Sequence, residues 1–94
     1  MRCSGVVFEW RGPAPYHFVA IGDDRADDIR EHAAAATYGW GMVPVECRLG
    51  STGFTTSLWP KGDAYYLPLK DAVRRSESVE IGDVVIVDVE VRMP

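Results

Sequence analysis

Cysteine is scarce in this chain: Cys3 and Cys47 are the only two, and they form no Cys-x-x-Cys pair. Two thiols cannot build the disulfide framework of a small secreted domain or a closed four-thiolate zinc site. Histidine is as sparse, with His17 and His32 alone, and no Gly-x-Ser-x-Gly elbow surrounds Ser57 or any other serine. A hydrolytic triad drawn from Ser57, His17 and one of the aspartates therefore has no motif behind it, and no catalytic residue is assigned. Long apolar runs are missing too: none approaches the roughly 18 to 20 residues of a membrane span. The N-terminus lacks the basic region and apolar block of a secretory signal, so a soluble, cytoplasmic protein is expected. Positive charge is short, with 10 Lys and Arg against 14 Asp and Glu for a net −4. That balance counts against general binding to nucleic acid, where affinity rests on phosphate neutralisation.

What remains is the composition of one globular domain over residues 1–94. The chain is 47% hydrophobic, 11% aromatic and 26% charged, enough apolar matter to reject disorder but room for only one core. The charge is uneven. Acids dominate residues 1–37 and again the end of the chain, whereas Arg48, Lys61, Lys70, Arg74 and Arg75 give the middle a small positive excess. Any bound anion is expected there.

Hydrophobic periodicity predicts the elements. Val6, Phe8 and Trp10 share one face of a first strand, Gly12-Pro13-Ala14-Pro15 breaks it, and Tyr16 to Ile21 returns as a second strand of a hairpin. The aspartates around Gly22-Asp23-Asp24 suit the start of a helix spanning about 25–36, with Ala26, Ile29, Ala33 and Ala36 as its apolar stripe. Their spacing matches no twelve-residue calcium loop, so no metal site is read from them. Val43, Val45, Cys47 and Leu49 alternate with polar residues in a third strand, and two turns separate it from strands over 54–59 and 64–67. Pro68 is placed to open a short helix over about 69–75, and Gly82-Asp83 launches a last strand whose core face carries Val85, Val87, Val89 and Val91. The order β-β-α-β-β-β-α-β, with many short strands and two helices, points to a mainly β fold and a small barrel. A weak internal echo agrees: strand, helix and strand from Phe18 to Cys47 recur in outline from Tyr65 to Val91.

Several motifs in order then look familiar: Trp10-x-Gly12-Pro13-Ala14 with Phe18-Val19, Gly41-x-Val43-Pro44-Val45, Thr56-Ser57-Leu58-x-Pro60, Tyr66-Leu67-Pro68-Leu69-Lys70 with Val73-Arg74, and Gly82-Asp83-x-Val85. Together they resemble a bacterial and archaeal domain of unknown function that occurs alone or fused ahead of an OmpD-associated, bacteriocin-protection type domain. The resemblance spans nearly the whole chain. It implies a double-split β-barrel completed within one chain, and it brings no activity and no cofactor. The final third also looks like the half-barrel of swapped-hairpin transcription factors and antitoxins, which need two chains to close.

Functional candidates are few. Lys70 and Arg74 stand four residues apart, and with Arg48 or Lys61 nearby they suit a small anion or an acidic partner. Trp10, Trp40 and Trp59 are candidate cleft aromatics, and Trp40, between Gly39 and Gly41, is the one expected to be exposed. The expected function is a non-catalytic module that binds a small ligand, such as an anion, or a protein partner, without metal or cofactor and without a membrane. The alternative is a DNA-binding regulator or antitoxin related to swapped-hairpin barrels; a small enzyme of unknown reaction ranks third.

Overall fold

The computed structural model describes residues 1–11, 16–34 and 41–92, apart from the side chains of Asp23 and Asp24. Eight elements follow the expected order: β1 (Arg2–Trp10), β2 (Tyr16–Ile21), α1 (Asp23–Ala33), β3 (Val43–Leu49), β4 (Thr52–Lys61), β5 (Ala64–Pro68), α2 (Asp71–Glu77) and β6 (Val84–Val91). The six strands close into a barrel in the spatial order β1-β2-β5-β4-β3-β6, with every neighbouring pair antiparallel. Closure leaves no long unpaired edge for another strand to find.

Two strands are shared between the halves of the barrel. Arg2–Val6 of β1 pairs with β6, and Val7–Trp10 pairs with β2. In the same way Thr52–Leu58 of β4 pairs with β3, and Trp59–Lys61 with β5. Exchanging β1-β2-α1-β3 for β4-β5-α2-β6 reproduces every pairing, so the internal echo of the sequence is an approximate two-fold of the fold. One chain thus supplies both half-barrels.

The interior is filled by the alternating residues of each strand. Val43, Val45, Cys47 and Leu49 of β3 face Leu58 of β4 and Val85, Val87 and Val89 of β6, all buried. β1 sends in Cys3 and Val7, β2 sends Val19 and Ile21, and β5 sends Tyr65 and Leu67. Among the described residues no polar or charged side chain is buried. Gly5 stands where β1 changes partner, and a Cβ there would collide with the Ala20 carbonyl oxygen and lie 2.7 Å from a Val19 methyl. Only glycine lets β1 and β2 approach so closely.

The helices close the ends. Ala26, Ile29 and Ala33 join the core cluster, and α1 touches both β5 and β6, strands on opposite sides of the barrel. Arg30 ties it to the β4–β5 turn by donating to the Asp63 carbonyl at 3.2 Å, with its guanidinium 5.7 Å from the Tyr65 ring centre. Val73 anchors α2, whose Glu77 accepts a 2.6 Å hydrogen bond from the Thr52 hydroxyl beside the β3–β4 turn.

Both helix boundaries differ from the expected ones. α1 begins at Asp23 instead of about 25, its N-cap is Gly22 without a side-chain bond, and of the expected end Ala36 lies outside the described residues. Asp23 and Asp24 belong to the first turn, where position alone suits an acid. α2 spans 71–77 instead of about 69–75. Pro68 remains the last residue of β5, and the Leu69 N–H donates to the His17 carbonyl at 2.8 Å while its side chain enters the core. That tertiary bond holds the chain extended, so the helix starts after Lys70, its N-cap.

Candidate functional site

The strand alternation that fills the barrel also decides its outside. On β1 the inward row is Cys3, Gly5 and Val7, so the shared face of Val6, Phe8 and Trp10 is the outer one. Register carries this apolar surface across the sheet. Phe8 stands opposite Phe18, Trp10 opposite Tyr16, Phe18 opposite Pro68, Ala20 opposite Tyr66, and Tyr66 opposite Trp59. Four strands, β1-β2-β5-β4, therefore present one aromatic wall, and neither helix covers it because both sit over the ends.

Phe18 lies at the centre of this wall and is 1% exposed although it points away from the core. Its ring centre is 5.5 Å from Trp59, 5.7 Å from Tyr66, 6.0 Å from Phe8 and 6.1 Å from Tyr16. Phe8 meets Tyr66 edge-on at 5.0 Å, with ring planes 73° apart. Such separations and tilts satisfy the ring quadrupoles, so the wall is a packed layer with its own small core. The outermost rings stay open to solvent: Trp10 is 44% exposed, Tyr16 49% and Trp59 40%. Between Trp10 and Trp59 lies a cavity of about 170 Å³, lined also by Phe18, Pro60, Lys61 and Tyr66. Lys61 places one positive charge at its rim.

A second apolar strip adjoins the rings. Val6 pairs with Val84 across β1 and β6, and the outward row of β6 continues to Ile86 before turning acidic at Asp88 and Glu90. Val84 is 71% exposed and Ile86 55%. The other side of the barrel is polar. A wide cleft of about 570 Å³ there is bordered by Glu46, Arg48, Thr55, Asp88 and Glu90, with Arg48 opposite Asp88 and Glu46 opposite Glu90 in the ladder.

The four residues singled out from the sequence are placed as follows. Arg48 faces this polar cleft and donates to the Ser51 carbonyl at 3.4 Å. Arg74 is held by the Asp71 carboxylate at 2.9 Å and the Leu69 carbonyl at 3.2 Å, and Arg75 pairs with the same aspartate at 3.3 Å. Lys70 is exposed at the N-cap of α2, one residue before the helix on which Arg74 sits. Neither Lys70 nor Arg74 borders the cleft that contains Arg48. Trp40 lies outside the described residues. Trp10 and Trp59, in contrast, do line one cavity. Sequence reasoning missed Phe18 and Tyr66 as partners of that cavity; the signal was the outward aromatics Phe8, Trp10, Tyr16, Phe18 and Tyr66 on β1, β2 and β5.

His17 shares the row of Val19 and Ile21 and is half-buried at the barrel end. His32 is exposed, with its Nδ1 2.8 Å from the Asp28 carbonyl oxygen. No group of three or more His, Cys, Asp or Glu side chains suited to a metal exists among the described residues. Cys3 and Cys47 are free and buried, and burial pushes both thiols up, Cys47 to about 12. They flank β6, Cys3 opposite Val87 and Cys47 opposite Val89. With an intervening strand and a two-residue offset along it, their Cα atoms stand roughly 10 to 12 Å apart, too far for a disulfide. No described helix is long and apolar enough to cross a membrane.

Fold and surface together define a six-stranded double-split barrel, closed by one chain, with two end-capping helices and one aromatic outer wall. The chain belongs to the family of the domain of unknown function DUF1905, whose model matches residues 4–89. No curated protein matches it.

Proposed function

We propose that the chain is a non-catalytic, cytoplasmic binding module whose contact surface is the aromatic wall. The observation that carries this reading is the exposed pair Trp10 and Trp59 lining a cavity with Lys61 at its rim, with exposed Tyr16 packed beside Trp59. Exposed aromatic clusters of this size are costly in water and are enriched where proteins meet partners. The cavity has the volume of a single ring or a large apolar side chain, and Lys61 favours a carboxylate beside it. The ligand class is thus an apolar or aromatic group bearing negative charge, presented by a small molecule or by a protein. Lys70 and Arg74 remain a separate proposal for an acidic contact, and the polar neighbours of Arg48 make its own cleft less suited to an anion.

Tryptophan emission titrated with phenylacetate, and with its neutral counterpart phenylacetamide, tests the reading. We expect saturable quenching by phenylacetate, weakened by Trp59→Ala and by Lys61→Ala, with phenylacetamide less sensitive to the lysine. Linear, unsaturable quenching that is the same in the Trp59→Ala variant would sink it.

A further inference from the structure

The barrel opens into a groove where β1 changes partner. Arg2–Val6 has β6 along one edge, but β2 pairs with β1 only from Val7 onward and gives way to α1 after Ile21. The second edge of Arg2–Val6 therefore has no strand against it, and a groove of about 850 Å³ follows it. Small-molecule clefts span roughly 300 to 1,000 Å³. Gly5 forms part of the wall, and its close approach to the Ala20 carbonyl marks the level at which β1 and β2 part.

The groove has two chemically different ends. Val6, Phe8 and Ala20 line the end where β1 and β2 come together, and Ile86 flanks the middle, opposite Ser4 in the ladder. Arg2 and Arg25 line the other end, one at the start of β1 and one in the first turn of α1. Strand geometry keeps the ends apart, since Arg2 to Phe8 spans about 20 Å of extended chain. The apolar end is not used up by the core: Val6 is 50% exposed and Ile86 55%. Nor is the positive end cancelled. Arg2 stands opposite Asp88 in the ladder but forms no ion pair among the described residues. Arg25 pairs with Asp28 at 3.1 Å, both side chains about half exposed, and such a pair adds little in water. Burial pushes the Cys3 thiol up; of the side chains acting on it, the Arg25 guanidinium, which pulls it down, outweighs Asp28 or Asp88, which push it up. The potential beside β1 is thus set more by the guanidinium than by either carboxylate.

We propose that this groove binds a free alkyl carboxylate of medium chain length, its head group between Arg2 and Arg25 and its chain laid along β1 past Ile86 to Val6 and Phe8. Charge complementarity selects the head group, because planar guanidinium groups match the two oxygens of a carboxylate. The apolar end selects the tail. A wholly polar anion leaves Val6 and Phe8 uncovered, and a wholly apolar molecule leaves both guanidinium groups without a partner. The site goes beyond the reading of the aromatic wall, whose cavity shares no lining residue with it.

Amide proton–nitrogen correlation spectra of the full chain, titrated with octanoate, butanoate and octan-1-ol, test it. Saturable shifts are expected at Ser4, Gly5, Val6 and Gly22, with Tyr16, Trp59 and Lys61 unmoved. Octanoate is expected to bind about tenfold more tightly than butanoate, from four further methylenes each roughly half covered in an open groove. Arg2→Gln and Arg25→Gln should each weaken both carboxylates about fivefold and leave octan-1-ol unchanged, whereas Ile86→Ser should weaken octanoate and spare butanoate. These side chains are exposed, and retained spectral dispersion shows that the barrel persists in each variant. Shifts that never saturate, or that are the same in both arginine variants, overturn the proposal. Shifts centred on Trp59 and Lys61 overturn it too, while leaving the wall as a binding surface. Shifts produced by phosphatidylglycerol vesicles but not by octanoate would assign the groove to a lipid surface instead. Loss of phenylacetate binding to the wall has no bearing on this outcome, so the two readings fail separately.

Discussion

Trp59 lies over Phe18 with ring centres 5.5 Å apart, and this contact closes solvent off from a side chain that points out of the barrel. The protein therefore has two apolar layers separated by one sheet. Phe18→Ala opens a hole in the outer layer and should cost about 3 to 5 kcal/mol, as for a buried core ring. Trp59→Ala removes a half-exposed cover and should cost only about 1 to 2 kcal/mol. Urea unfolding of the two variants checks the order. Equal losses would mean that the outer layer contributes little packing of its own.

Gly5 marks the crossing of β1 from β6 to β2, and the Ala20 carbonyl occupies the space a Cβ would need. The contact is with backbone, which cannot rotate aside. Gly5→Ala is expected to destabilise by about 1 to 3 kcal/mol, while Gly22→Ala, where a Cβ would meet nothing within 4 Å, serves as the mild control. Thermal midpoints of both variants give the comparison.

Ser78 caps α2 in the left-handed region at φ 53°, with its backbone N–H turned to the Arg74 and Arg75 carbonyls. A Cβ makes that conformation costly, and glycine removes the cost. Ser78→Gly should raise stability by up to about 1 kcal/mol. A lower denaturation midpoint in urea contradicts the assigned cap.

Cys3 and Cys47 should be inert in the folded chain and both react with an aromatic disulfide reagent once it is unfolded. Burial raises both thiols above their ordinary 9.0, Cys47 to about 12. Below pH 9 thiols are protonated in both states, and their contribution to stability is complete. Above it the unfolded chain releases protons that the folded chain retains, so stability falls as pH rises towards 12, by at most about 1.4 kcal/mol per pH unit for each thiol. Cys47→Val should flatten that decline. Parallel curves for wild type and variant across this window would rule the thiol out as its cause.

Much of the architecture is legible in local pattern. The β3 alternation and the valine row of β6 mark inward positions unambiguously, because their outward neighbours are Glu46, Arg48, Asp88 and Glu90. β1 and β2 carry apolar residues on both faces, so alternation assigns Val6, Phe8 and Trp10 to one side without saying which side meets the core. The α2 boundary was hidden for a related reason: Pro68 is compatible with a helix start, and only the bond from Leu69 to the His17 carbonyl on β2 keeps the chain extended. For the candidate site, the sequence marked Trp10 and Trp59 as aromatics of a cleft; the convergence of Tyr16, Phe18 and Tyr66 upon them depends on strand order.

By itself, then, the sequence determined the element order, the apolar rows that fill the barrel and the two-part echo, all of which follow from side-chain period and turn chemistry within a few residues. Only the tertiary structure decided that β2 lies between β1 and β5, that both helices cover the ends, and that a ring-bearing wall is left facing water. The physical reason is that inside and outside of a sheet are set by which strands and helices come to lie against it, and those partners are distant in the chain.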